Sequence, residues 1–60
     1  MENKLNKDDI EYIAKKLKQK TTLGEKQELL QKILIEDYDM KFRESIDAML
    51  DLAQIGIYEM

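Results

Sequence analysis

Apolar residues recur along this chain at spacings of three and four positions, the period of an amphipathic helix, in three separate segments. Residues 7–20 carry a narrow stripe made of Ile10, Ile13, Ala14 and Leu17. Residues 23–35 carry a second face made of Leu23, Leu30, Ile33 and Leu34, with Leu29 at its margin. A third helix is predicted over residues 39–55. The pattern therefore predicts an all-α fold.

The third segment is much more apolar than a surface helix needs to be. At about 100° per residue, an arc of about 100° contains Phe42, Ile46, Met49, Leu50 and Ala53. Three further residues widen the apolar arc to about 220°: Ala48, Leu52 and Ile55. The sequence predicts that the first arc faces the core. It also predicts that the three additional residues, next to the C-terminal tail, form the site where a second chain docks.

Residues that favour helix ends mark the boundaries of the segments. Asn6 suits an N-cap, with acids in the following turn and a hydrophobic staple between Leu5 and Ile10. Thr22 to Glu25 matches the capping-box pattern. Gly56 is predicted to end the third helix in a left-handed conformation, with Ile57 folding back toward Leu52.

Residues 36–39 leave two architectures open. This joint contains no glycine or proline, but Asp37 and Asp39 disfavour a helix interior and either could cap the third helix. That favours a small three-helix bundle. The alternative is a helical hairpin with one long second helix that dimerises, because an apolar series from Leu30 to Ala53 runs unbroken through the joint.

The length permits one domain, residues 1–60, with residues 1–5 frayed and an apolar tail at residues 56–60. A chain of 60 residues has a marginal core, and the absence of cysteine removes any disulfide reinforcement. Self-association as a homo-oligomer, most simply a dimer, is therefore expected. No apolar leader or membrane-length run is present, so we expect a cytoplasmic protein without a membrane partner.

The composition argues against an enzyme. Histidine and cysteine are absent, and the single serine, Ser45, has no histidine to activate it. No glycine-rich phosphate loop occurs, and the carboxylates around Asp37 and Asp39 lack the remaining positions of a calcium loop. We expect no catalytic residues, no metal and no cofactor.

Charge is distributed unevenly, although the net charge is only −3. Residues 1–20 carry a net charge of +2, and residues 36–60 carry −5. The basic part suggests one function, a small DNA-binding or transcription-accessory protein whose possible phosphate contacts are Lys15, Lys16, Lys18 and Lys20. The acidic composition of the third helix and the sequence pI of about 4.8 make nucleic acid the less favoured partner.

A non-enzymatic protein-binding module, a small regulator or inhibitor of another protein, agrees better with the sequence. An acidic ridge, Glu44, Asp47 and Asp51, lies beside the apolar arc, where a basic groove on a partner would relieve its repulsion. The other predicted partner-binding residues are Tyr38, Phe42, Leu52, Ile55, Ile57 and Tyr58. In composition the chain resembles short Lys/Glu/Ile-rich helical proteins of AT-rich bacteria and their phages or plasmids. That resemblance implies a phage- or plasmid-encoded protein that acts on a host protein.

Overall fold

A computed structural model describes residues 5–60 and confirms the small three-helix bundle. Helix α1 spans Lys7–Leu17, α2 spans Leu23–Glu36 and α3 spans Phe42–Gln54. A short 3₁₀ turn, Ile57–Glu59, follows α3. No strand occurs among these described residues. Helix α2 packs against both α1 and α3, and the 3₁₀ turn contacts α1 and α3.

The joint between α2 and α3 breaks the helix, so the hairpin with one long helix is excluded. Asp39 has a φ of 56°, in the left-handed region that aspartate tolerates better than most residues. The backbone N–H of Met40 donates to the carbonyl of Leu34 at 3.1 Å. Helix α3 therefore begins at Phe42, later than the predicted residue 39.

The predicted caps at this joint are wrong, because neither aspartate caps α3. Asp37 instead closes α2, where its N–H donates to the Ile33 carbonyl at 2.8 Å. Lys41 occupies the N-cap position of α3, and its backbone N–H donates to Oε1 of Glu44 at 2.9 Å. Glu44, the third residue of the helix, thus satisfies the N–H of the N-cap residue, although the side chain of Lys41 makes no capping hydrogen bond.

The beginning of α1 forms the predicted cap. Oδ1 of Asn6 accepts a hydrogen bond from the N–H of Asp9 at 2.9 Å, and Oδ2 of Asp9 accepts one from the N–H of Asn6 at 3.2 Å. Helix α1 ends three residues earlier than predicted. The N–H groups of Gln19 and Lys20 donate to carbonyls only three residues back, which tightens the chain into a turn.

Thr22 caps α2, as the sequence predicts. Its hydroxyl oxygen accepts a hydrogen bond from the N–H of Glu25 at 3.2 Å. The threonine hydroxyl also hydrogen-bonds to the Glu25 carboxylate, and this contact is the main reason that the pKa of Glu25 lies below its ordinary value. Two exposed residues therefore fix the start of the central helix.

One hydrophobic core joins all the elements. Its buried apolar side chains are Leu5, Ile13, Ala14, Leu17, Leu30, Ile33, Leu34, Met40, Leu52 and Ile57. Two predictions are corrected here. Leu5 is buried rather than frayed, whereas residues 1–4 of the predicted frayed segment lie outside the described residues. Leu23 is exposed, because it occupies the first position of α2, at the end of the core-facing stripe.

Gly56 reverses the chain after α3. Its φ of 79° is the left-handed conformation that the sequence predicts, and its N–H donates to the Ala53 carbonyl at 3.1 Å. The reversal brings Ile57 into the core beside Leu52. The 3₁₀ turn thus packs on its own bundle through Ile57, whereas Met60 is exposed.

Candidate protein-interaction surface

Helix α3 is rotated relative to the prediction. The inward-facing side chains are Ser45 and Leu52, which are 0% and 1% exposed, together with the half-buried Ala48 and Met49. The arc predicted to be the core is mostly outside. Phe42 is 63% exposed, Leu50 is 61% exposed and Ile46 is 38% exposed. The assignment of these three residues to the core is therefore wrong.

Ser45 is the inward residue that contacts α2 directly. A side chain as small as serine leaves room for close packing at this point. The polar group of Ser45 is satisfied inside, because its hydroxyl donates to the Phe42 carbonyl at 2.6 Å. Its oxygen also accepts a hydrogen bond from Nε2 of Gln31 in α2 at 3.4 Å. A buried serine with these partners has no free hydroxyl for nucleophilic chemistry.

The displaced arc forms an exposed apolar face on α3, made of Phe42, Ile46 and Leu50. These residues follow one another at intervals of four, so their side chains form a continuous row along the helix. A shallow groove of about 420 Å³ runs beside the row. Its remaining lining residues are Gln27, Gln31, Met49, Ala53 and Tyr58.

Charged residues border the exposed apolar face on the side away from α2. Arg43 and Asp47 lie about 60° and 100° around the helix from Ile46, and both are exposed. Asp51 is also exposed but lies farther around. Glu44, the third member of the predicted acidic ridge, is half-buried and caps α3. The freely accessible acids are therefore Asp47 and Asp51.

The remaining predicted partner-binding residues do not form one surface. Leu52 and Ile57 are buried in the core, so their inclusion in a docking surface is corrected: neither offers accessible area. Tyr38 is half-buried at the joint, where its hydroxyl donates to Oδ1 of Asp9 at 3.0 Å. Ile55 is exposed in the turn after α3. Only Phe42 and Tyr58 meet in the groove.

Tyr58 borders the groove from the 3₁₀ turn. Its backbone carbonyl accepts a hydrogen bond from Nζ of Lys26 at 2.9 Å, which ties the turn to α2. Burial raises the pKa of its phenol. The sequence placed Ile46 and Leu50 in the core and left Gln27 and Gln31 out of the surface. Only the unusual width of the apolar arc indicated that part of it would remain uncovered.

The four lysines considered as phosphate contacts are all exposed: Lys15 and Lys16 in the last turn of α1, and Lys18 and Lys20 in the turn that follows it. The ammonium group of Lys16 lies 5.4 Å from the centre of the Tyr12 ring, a cation–π distance. These lysines belong to a different element from the exposed apolar face.

Residues 5–60 contain neither a metal-binding cluster nor a membrane-spanning helix. No group of three or more acidic side chains in this part of the chain is arranged to hold a metal ion. Among the helices described, none has the length and apolar character required to cross a bilayer.

Comparison with known proteins found no match for this chain: no family model, no curated protein and no solved structure is similar to it.

Proposed function

We propose that this chain is a non-enzymatic protein-binding module and that its binding surface is the exposed apolar face of α3. One observation carries the proposal. Phe42, Ile46 and Leu50 form a row of large apolar side chains that the bundle does not cover. Contiguous apolar surface beside a polar rim is typical of protein–protein contact sites.

The shape of the surface favours a helical segment as the bound element. A helix face with side chains at intervals of four, next to a shallow groove, matches the helix-in-groove mode of recognition. Met49 and the two glutamines of α2 add adaptable side chains along the groove. The bound segment would place apolar residues over Leu50 and Phe42 and polar groups near the glutamines.

The finer proposal is that the module regulates or inhibits another protein. Asp47 stands beside the apolar row and favours a partner that presents a basic side chain opposite it. A chain with neither histidine nor cysteine acts most simply by occupying a surface of its target. An origin in a phage or plasmid, with a host protein as the target, stays a prediction from composition.

Affinity capture tests the proposal with a matched pair of variants. Leu50→Lys places a charge at the C-terminal end of the row. Leu23→Lys makes the same substitution at an exposed leucine of α2, outside the row. We expect wild type and Leu23→Lys to retain the same protein from a lysate of the source cells, and Leu50→Lys to lose it. Equal capture by all three chains, with folding verified by circular dichroism, would contradict the proposed surface.

A regulatory role requires a second measurement. Adding the purified chain to the captured protein should change the activity of that protein, and Leu50→Lys should not. Asp47→Lys tests the charge beside the row: weaker capture at low salt would support a basic group on the partner, and unchanged capture would remove Asp47 from the surface.

Binding to DNA is the second candidate, favoured by the exposure of all four lysines in the last turn of α1 and the turn that follows it. Phosphate contacts by these lysines would give binding that weakens steeply with salt. Replacing Lys15, Lys16 and Lys18 by Gln should then abolish a gel shift, whereas Leu50→Lys should leave it intact. The absence of any shift at low salt would exclude this function.

A further inference from the structure

We propose that the exposed apolar face of α3 binds the same face of a second copy of this chain, with the two α3 helices antiparallel. The inference deepens the proposed function and rests on it, because it names the polypeptide that covers this face when no other protein is bound. The charge pattern along the rim of the face supports this arrangement.

The rim carries one charge of each sign at a helical spacing. Arg43 and Asp47 lie four residues apart on the same side of the row, and both are exposed. A partner with a purely basic rim would be repelled by Arg43, and one with a purely acidic rim would be repelled by Asp47. The best complement is a rim with the same two charges in the opposite order along the contact.

A second copy presents that opposite order when it lies antiparallel. A two-fold axis perpendicular to both helices brings the same rim of each copy side by side and reverses its direction. If the axis crosses α3 at the level of position 45, Arg43 stands level with Asp47 of the partner subunit. The symmetry repeats this contact, so the interface contains two opposite-charge pairs.

The same register interleaves the apolar side chains. With a rise of about 1.5 Å per residue, Phe42 falls between Ile46 of the partner subunit and Leu50 of the partner subunit. Large side chains then fill the spaces between large side chains, as helix packing requires. One arrangement thus satisfies both the charges and the apolar row.

The interface is small, and the expected association is correspondingly weak. One helix face is less than the area of about 800 Å² per partner that stable complexes bury. We therefore expect a dimer whose population rises with concentration. Another protein that binds the same face must displace the second copy.

Sedimentation equilibrium on the purified chain tests the apolar part of the interface. Wild type should associate reversibly, and Leu50→Lys should weaken association about tenfold or more. Leu23→Lys, the same substitution at an exposed leucine on α2, should associate like wild type. A wild-type chain that stays monomeric at all concentrations overturns the inference, and so does association that Leu50→Lys leaves unchanged.

Mixing two charge variants tests the antiparallel arrangement. In Arg43→Glu both rim charges are negative, and in Asp47→Lys both are positive, so each variant alone should associate more weakly than wild type at low salt. A mixture should form a heterodimer that is about fivefold or more tighter than either homodimer. Neither chain retains an opposite-charge pair within its own rim, so only contact between copies produces this preference.

Asp51→Lys is the charge control, because Asp51 lies about 140° around α3 from Ile46. This variant should associate like wild type and show no preference in mixtures. Association that depends on Leu50 without any preference for the mixed pair overturns the antiparallel arrangement. A monomeric chain that nevertheless captures another protein through Leu50 would exclude the second copy and leave the proposed function standing.

Discussion

The hydroxyl of Tyr38 donates a hydrogen bond to Oδ1 of Asp9, 3.0 Å away, and so ties the α2–α3 joint to the first turn of α1. Asp9 uses its other oxygen to accept the backbone N–H of Asn6. A second tyrosine makes the reverse connection, from the hydroxyl of Tyr12 in α1 to Oδ2 of Asp37 at the joint, at 3.3 Å. The joint is thus held by side-chain contacts at a place where the backbone leaves the helix.

Because of Tyr38, the fold should lose stability at alkaline pH. Burial, followed by the hydrogen bond to Asp9, raises the pKa of Tyr38 from its ordinary 10.0 to about 12. The fold favours the neutral phenol, so this stabilisation is complete below pH 10 and is lost as the pH rises through 12. Tyr38→Phe should lower the free energy of unfolding at pH 7 by about 1 kcal/mol.

Urea denaturation of wild type and Tyr38→Phe at increasing pH measures this effect. The difference in free energy of unfolding between the two chains should become smaller as the pH rises from 10 toward 12. Tyr12→Phe, which removes a more exposed tyrosine hydroxyl, is the control. A difference between wild type and Tyr38→Phe that stays constant over this range would contradict a role for the neutral phenol.

The rotation of α3 can be measured with two leucines on the same helix. Leu52→Ala should lower the free energy of unfolding by about 2–5 kcal/mol, because Leu52 is buried in the core. Leu50→Ala should change it by less than about 0.5 kcal/mol at a concentration where the chain is monomeric, because Leu50 is exposed. If urea denaturation showed the same loss of unfolding free energy for both variants, both sides of α3 would have to be packed.

Ser45 provides an independent test of the same rotation. Ser45→Leu should destabilise the fold by about 1–3 kcal/mol, because a large side chain must fit where α3 approaches α2. Ser45→Ala should cost no more than about 1 kcal/mol, since Gln31 is only half-buried and keeps access to water. Thermal unfolding of both variants checks this order. A stabilising Ser45→Leu would mean that position 45 faces away from α2.

The two glycines should respond in opposite ways to alanine. Gly56→Ala should lower the free energy of unfolding by about 1–2 kcal/mol, because its φ of 79° is unfavourable for a residue with a Cβ atom. Gly24→Ala should raise it by about 0.5–1 kcal/mol, because Gly24 lies in α2 and an added Cβ would meet no atom within 4 Å. Denaturant midpoints measure both changes. A Gly56→Ala chain as stable as wild type would contradict the left-handed turn, and a destabilised Gly24→Ala chain would contradict the open space beside Gly24.

Local chemistry made much of the fold predictable from the sequence. Asn6 and Asp9 form their reciprocal cap, and Thr22 begins α2, because these contacts involve residues only three positions apart. Gly56 ends α3 for an equally local reason, its tolerance of a positive φ. The narrow stripe of α1 also identified the core side of that helix, where Ile13, Ala14 and Leu17 are buried and Ile10 is half-buried. A stripe of that width can face a core in only one way.

The sequence could not determine which side of α3 faces the core. Its apolar arc of about 220° permits several rotations of nearly equal hydrophobicity. Serine also ranks as polar in any pattern, whereas Ser45 is buried with its hydroxyl bonded to the Phe42 carbonyl. The position of the joint was similarly hidden, because it depends on the left-handed conformation of Asp39 and a hydrogen bond across six residues.

The candidate surface follows from this same rotation. The sequence established that the chain carries more apolar helix surface than its short helices could cover, and that acids stand beside it. Only the tertiary structure decided that the uncovered row is Phe42, Ile46 and Leu50, while Leu52 and Ile57 are buried. The physical reason is that only one side of a widely apolar helix can pack against the bundle: here that side carries Ser45, Ala48, Met49 and Leu52, and Phe42, Ile46 and Leu50 are left outside.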